Sequence, residues 1–329
     1  MVVEVNHVSI IIGMLMVVSA FDVFAALNAD QISAKNKGLY LYNLIRHEEA
    51  IPYLKPAADA GDVDAQYYLA EIIRQGKMMM TEEAYKLYES AAKQGSVDAM
   101  IRLADTKDDL CVIAGSCPLG EHTPDEWFRE AQKTAEARAQ SGDNEAMRQL
   151  FGLTGELRFL IQGAEAGNGE AQYKLSSLYD EGLGFFIFPG SREKEAEKWL
   201  ARSAESGYPR AMNDYGHLLV GRGEKKNGGE WIEKAAKTGY MGALSSYLVY
   251  TAHMPNKVDY PLDYVKAYGL ALLFRDSEPE TSNLSFGKKM LARVAPKMNQ
   301  QQIIDAQYFA EQWKRNYPPL SEFRPKYTY

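Results

Sequence analysis

The chain has 329 residues, 46% of them apolar and 25% charged, with a net charge of −7 and a pI near 5.4. It exceeds the roughly 250–300 residues at which one globular core stops growing, so it needs several cores or an elongated one. The mildly acidic balance argues against nucleic acid, which requires basic stripes.

Residues 8–20, VSIIIGMLMVVSA, form an uninterrupted, weakly polar run. Its length suits the apolar part of an export signal and is short of the ~20 residues of a membrane span. Val23-Phe24-Ala25 provides small residues for cleavage after Ala25. The preceding segment departs from the usual signal, with Glu4 and His7 but no Lys or Arg. Residues 1–25 are read as a signal peptide and the protein as periplasmic. An uncleaved anchor, the one route to a membrane, and a cytosolic chain are the alternatives.

Residues 26–60 carry a first helix pair, expected over 29–44 and 47–60, with Pro52 and Pro56 kinking the second helix. A recurring skeleton then fills 61–252. Gly61 has Ala58 three before it, Ala65 four after and Leu69 eight after. The same spacing recurs at Gly95, Gly142, Gly167, Gly207 and Gly239, with Tyr215 and Tyr247 in the last place of the final two. The intervals of 34, 47, 25, 40 and 32 residues are those of a solenoid with one insertion and one shortened unit. Each glycine supplies positive φ between two helices. The alanines mark a close crossing, and Tyr53, Leu87, Phe159, Trp199 and Trp231 are expected to fill the layer on the other side.

The insertion, read as a loop over 106–123, contains Cys111 and Cys117. In an exported chain an intraloop disulfide is the natural reading, with free thiols or a metal or redox centre as alternatives. A metal site would need two more ligands nearby, and only His122 is local. Thr123-Pro124-Asp125-Glu126 then starts a helix with a capping box. Further helices are expected at 143–152, 155–166, 168–180, 193–206, 208–220, 228–238 and 240–252. A capping region over 253–329 holds helices at 261–275, 283–295 and 299–316 and a proline-punctuated, extended tail.

Two stretches resemble catalytic vocabulary. Ser191-Arg192-Glu193-Lys194 with Lys237-Thr238-Gly239 has the wording of serine β-lactamases. The repeat frame makes Lys237-Thr238-Gly239 a helix junction and Ser191 an N-cap. Gly221 to Gly229 suggests a phosphate loop but lacks the Gly-Lys-Ser/Thr ending and a preceding strand, and reads as a turn. The five histidines show no metal spacing. No enzyme, cofactor or small-molecule substrate is expected.

The segment from Ala171 to Gly207 resembles the Sel1-like repeats, relatives of tetratricopeptide repeats. It carries Leu175 and Leu178-Tyr179, the Gly182-x-Gly184 loop, and the Lys194-x-Ala196-x-x-Trp199 helix start. The resemblance implies an all-α, right-handed solenoid of stacked antiparallel helix pairs whose work is to bind another protein. It also implies that the first helix of each pair lines a concave side. That frame selects Asp64, Tyr67, Glu71, Arg74, Arg148, Tyr173, Asp180, Arg210, Asn213, His217 and Ser245 as the partner-binding face; a plain solvated face is the alternative. Phe185, Phe186, Ile187 and Phe188 give one turn more apolar bulk than a helix pair can bury. They mark an interaction site unless the loop folds under a neighbouring insertion. The layout of signal segment, divergent first pair, Cys-x5-Cys insertion and long tail resembles periplasmic immunity proteins against lipase or phospholipase effectors of type VI secretion. The alternative is an envelope scaffold or adaptor for a secretion or polysaccharide-export assembly.

Overall fold

The protein, seen here as a computed structural model, is described over residues 26–254, 260–277 and 285–323. The expected signal peptide over 1–25 and the last residues of the tail lie outside the described residues. The fold is an all-α repeat solenoid. Its one pairing of extended backbone among the described residues is an isolated bridge between Tyr240 and Ser321.

Helices pack in antiparallel pairs, and each pair packs on the next. The first two pairs are α1 (Ala29–Asn43) with α2 (His47–Asp59) and α3 (Val63–Lys77) with α4 (Glu82–Lys93). In the third, α5 (Val97–Ala104) pairs with α7 (Pro124–Gln140) across the insertion, which holds the short α6 (Leu110–Ala114). The shortened unit is α8 (Asn144–Thr154) with α9 (Leu157–Glu165). Then follow α10 (Gly169–Asp180) with α11 (Ser191–Glu205), and α12 (Pro209–Gly221) with α13 (Lys225–Lys237). The array ends in α14 (Met241–Thr251), α15 (Tyr264–Ser277), α16 (Phe286–Val294) and α17 (Gln300–Asn316).

The glycine skeleton does what its spacing implies. All six pivot glycines have φ between 88° and 95°. At the first pivot the Asp62 N–H reaches back to the Ala57 carbonyl at 3.0 Å, closing α2. The Asp62 carboxylate then accepts from the Ala65 N–H at 2.9 Å and opens α3. Ser96, Asp143 and Asn168 repeat that cap. Tyr208 and Tyr240 stand in the same place without a side-chain cap.

Four expectations are corrected. The buried residue on the second helices stands seven before the pivot at Gly61, Gly95, Gly167 and Gly239, and eight before it at Gly207. Leu54, Tyr88, Leu160 and Ile232 are fully buried there, while Tyr53 is 41% exposed. Trp199 is the one residue of the outer set that is buried. An i, i+4 stripe such as Ala50, Leu54 and Ala58 explains the shift, because it keeps one face against the neighbour. Second, the insertion is not a plain loop: a 3-10 turn (Asp105–Asp108) precedes α6. Third, α13 begins at Lys225, so the turn shrinks to Arg222, Gly223 and Glu224. Gly228 and Gly229 lie inside the helix because α12 and Tyr260 come too close for a side chain. A Cβ at Gly228 would sit 2.5 Å from the Gly216 carbonyl oxygen, and one at Gly229 2.7 Å from the Tyr260 ring. Fourth, Gly190 caps α11, and Ser191 is its first residue, donating its hydroxyl to the Phe188 carbonyl. Pro52 and Pro56 lie within α2, which runs unbroken to Asp59.

The ends of the array meet. Tyr40 and Leu44 at the end of α1 pack into the same core as Leu273, Trp313 and Leu320. The Glu322 N–H donates to the Asn43 carbonyl at 2.9 Å. The solenoid therefore closes on itself through its tail.

Candidate protein-binding surface

The row of first-helix residues is a chain of polar links between successive repeats. Glu71 on α3 is buried and accepts from the Tyr88 hydroxyl at 2.7 Å, from Gln75 at 3.0 Å and from the Arg102 guanidinium at 2.5 Å. Burial, reinforced by Glu71, raises the Tyr88 hydroxyl well above its ordinary range. Arg148 on α8 is only 2% exposed. It reaches Glu145 at 2.6 Å on its own helix, Asp98 at 3.5 Å on α5 and Glu170 at 4.0 Å on α10. Burial pushes the Glu170 carboxyl up, and Arg148 opposes that push. Further along, the Tyr173 hydroxyl donates to Asp214 at 2.7 Å, and Asn213 donates to the same carboxylate at 3.0 Å. His217 stands between the Ser246 hydroxyl at 3.0 Å and the Tyr250 hydroxyl at 2.9 Å.

These contacts correct part of the expected binding face. Tyr67, Glu71, Arg148 and Asn213 are buried, so they are not anchors that a partner meets at the surface. Glu71 and Arg148 are instead held by residues of neighbouring repeats where first helices stack: a buried charge needs a partner, and the next repeat supplies it. Arg74 lies 3.8 Å from Asp109 and helps hold the insertion. Asp64 approaches Lys35 at 3.3 Å. Tyr173, Arg210, His217 and Ser245 are half-buried, and Asp180 is exposed.

Most of the apolar exposure lies elsewhere. Among the described residues, Ile45, Met78, Leu110, Val112, Ile113, Leu119, Phe185, Ile187 and Phe188 are exposed between the first and second helix of a pair, while Ile32, Tyr53, Leu262, Ile304 and Tyr308 are exposed singly on helices or before α15. In stacked antiparallel pairs those turns share one edge, the edge on which repeat insertions gather. No pivot turn, on the other edge, carries an exposed large apolar side chain among the described residues.

Two of these turns project furthest. In the turn after α10, Phe185 is 90% exposed, Ile187 77% and Phe188 75%. Phe186 folds back edge-on to Tyr179, with the Arg192 guanidinium 5.7 Å from its ring. The loop is not tucked under an insertion. In the insertion, Ile113 is 86% exposed and Leu119 95%. The disulfide between Cys111 and Cys117 closes this segment. Cys111 is fully buried, and Asp109 pins the segment by accepting from the Met80 and Cys111 N–H groups at 2.8 and 3.0 Å. The apolar tips of the insertion are thus mounted on a fixed base. Ile113 and Leu119 were missed from sequence, although an apolar residue beside a cysteine pair in an insertion was a usable signal.

Residues 63–96 and 169–208 match the Sel1 repeat. Sel1 repeats mediate protein–protein binding. No curated protein sequence matches the chain. Among solved structures, the chain is similar to c5321, a protective antigen of uropathogenic Escherichia coli displaying an SLR fold. That similarity is at 20% identity and a TM-score of 0.46, covering 88% of this chain and 62% of that one, so this chain spans less than two thirds of that protein. It is also similar to a Sel1 repeat protein from Oxalobacter formigenes, at 19% identity and a TM-score of 0.39, covering 74% of this chain and 99% of that one.

Proposed function

We propose that the chain is a protein-binding solenoid of the bacterial envelope that docks its partner along the edge carrying the first-to-second-helix turns. We further propose that the partner is an exported lipase or phospholipase toxin, which the chain neutralises as an immunity protein. The observation that carries the docking edge is the group Phe185, Ile187 and Phe188, exposed together on one turn. Apolar clusters of this kind on a soluble surface mark interaction sites. A few such anchors supply most of the affinity of a tight complex. The toxin reading rests on the layout of signal segment, cysteine-paired insertion and long tail, and neutralisation on this account works by covering the toxin's surface. A second reading, an envelope scaffold, is favoured by the presence of two separate apolar tips, one on the insertion and one after α10, which suit two partners.

Expression of a lipase-like effector encoded beside this chain's gene, directed to the periplasm with and without the chain, tests the first reading. Protection is expected from the full chain and is expected to be lost on changing Phe185, Ile187 and Phe188 to Ser or on deleting residues 2–25. Equal killing in all cases, or equal protection without residues 2–25, rejects the immunity reading.

A further inference from the structure

The tail after α17 does not simply end the chain. Pro318 and Pro319 follow the last helix and keep the backbone extended. The segment then lies in a slot formed by the α13–α14 junction, the start of α12 and the end of α1. The Ser321 N–H donates to the Gly239 carbonyl at 2.9 Å, and the Ser321 carbonyl accepts from the Met241 N–H at 3.0 Å. Leu320 is buried in the terminal core, and the Phe323 ring stands edge-on to Tyr240. The slot is cut close at the pivot: a Cβ on Gly239 would lie 2.4 Å from the Pro319 carbonyl oxygen. This is recognition of an extended segment by backbone pairing plus one apolar side chain, the mode by which sheet edges take peptides.

One polar group in the slot is poorly matched by the tail. The Arg210 guanidinium donates from Nη2 to the neutral Glu322 carbonyl at 3.2 Å. Its Nε is buried and has no hydrogen-bond partner among the described residues. A carboxylate at that place would accept from both nitrogens and add charge, the stronger form of this contact.

We propose that this slot is a peptide-recognition site, occupied in cis by the chain's own Pro318–Glu322 segment. In trans it takes an extended segment of a partner protein with an aliphatic residue at the Leu320 position and a free carboxylate over Arg210. The proposal is independent of the turn edge. It implies that a partner segment competes with the tail and, in displacing it, releases the contact between Glu322 and Asn43 that closes the array.

The test uses the peptide NYPPLSE, residues 316–322, with a free C-terminal carboxylate, and its C-terminal amide twin. The full chain carrying Leu320→Asp, which ejects the tail, is expected to bind the acid peptide at least tenfold more tightly than the unaltered chain. The acid is expected to bind at least threefold more tightly than the amide, and Arg210→Ala in the Leu320→Asp chain is expected to erase that difference. A folded Leu320→Asp chain that ignores both peptides overturns the site. Equal binding of acid and amide overturns the carboxylate assignment. Dimers formed by tail exchange, seen by size exclusion in place of peptide binding, overturn the partner assignment, because the occupant is then a second copy. If Leu320→Asp does not fold, hydrogen exchange on the unaltered chain decides. Excess acid peptide is expected to speed exchange of the Glu322 amide while Met241 stays protected, and no change at either amide overturns the proposal.

Discussion

Arg148 shows how one residue can be read correctly by type and wrongly by role. Its place in the repeat frame is on the first-helix row, and arginine is a common binding anchor. In the fold it is buried among Asp98, Glu145 and Glu170. Removing one partner of a buried charge network leaves the others uncompensated, at a cost of about 3–5 kcal/mol. Arg148→Ala is therefore expected to lower stability by roughly that amount, measured by urea unfolding. Retained stability with weakened partner binding would restore the surface role. His217 makes a pH-dependent contribution. Burial holds its imidazole below the ordinary value near 6.5, against the upward pull of Asp214. As pH falls through about 6.5 the unfolded chain takes up the proton before the folded one, so stability declines until the lower folded value is reached. The melting temperature of the parent is expected to fall more between pH 7.5 and 5.5 than that of His217→Gln. Parallel curves would show that the imidazole is not held neutral. Which residues satisfy these side chains was not legible in sequence, because Asp98 and Glu170 belong to other repeats and nothing local links them to Arg148.

At the scale of elements the reading was closest, because pivots, caps and crossings depend on residues within about ten positions of one another. The Thr123 capping box formed as written: Thr123 accepts from the Glu126 N–H at 3.3 Å, and Glu126 accepts from the Thr123 N–H at 2.7 Å. The alanines flanking the pivots are at crossings, with Ala65 and Ala211 fully buried. Ala65→Leu and Ala211→Leu are each expected to cost about 1–3 kcal/mol by overpacking, read as a lower midpoint in urea. Parent-like midpoints for both would place those residues away from the crossings. The helix start at Lys225 was hidden because Gly228-Gly229 looks like a turn in sequence, and only the closeness of α12 explains it. The insertion depends on its disulfide as well as on Asp109. Closing so short a ring contributes on the order of 2 kcal/mol. A reductant is expected to lower the melting temperature of the parent but not of the Cys111→Ser, Cys117→Ser double variant. An equal fall in both would assign the effect to something other than this bond.

For the whole molecule, repetition was legible and closure was not. Each pair sees only its neighbours in sequence, so a solenoid can be read one period at a time. The meeting of Tyr40, Asn43 and Leu44 with the tail joins the two ends of the array and leaves no periodic trace. The candidate site divided in the same way. The run from Phe185 to Phe188 stood out as apolar excess in one turn, whereas its alignment with the insertion follows only from the stacking of pairs. On the proposed function the turn edge, rather than the buried polar row or the pivot edge, meets the partner. Photo-crosslinking in cells tests it most directly, with benzoylphenylalanine placed at Phe188 on the turn edge or at Ser141, exposed beside the Gly142 pivot. One discrete protein adduct is expected from position 188, lost when Phe185 and Ile187 are changed to Ser, and none from position 141. An adduct from position 141 with none from position 188 would contradict it.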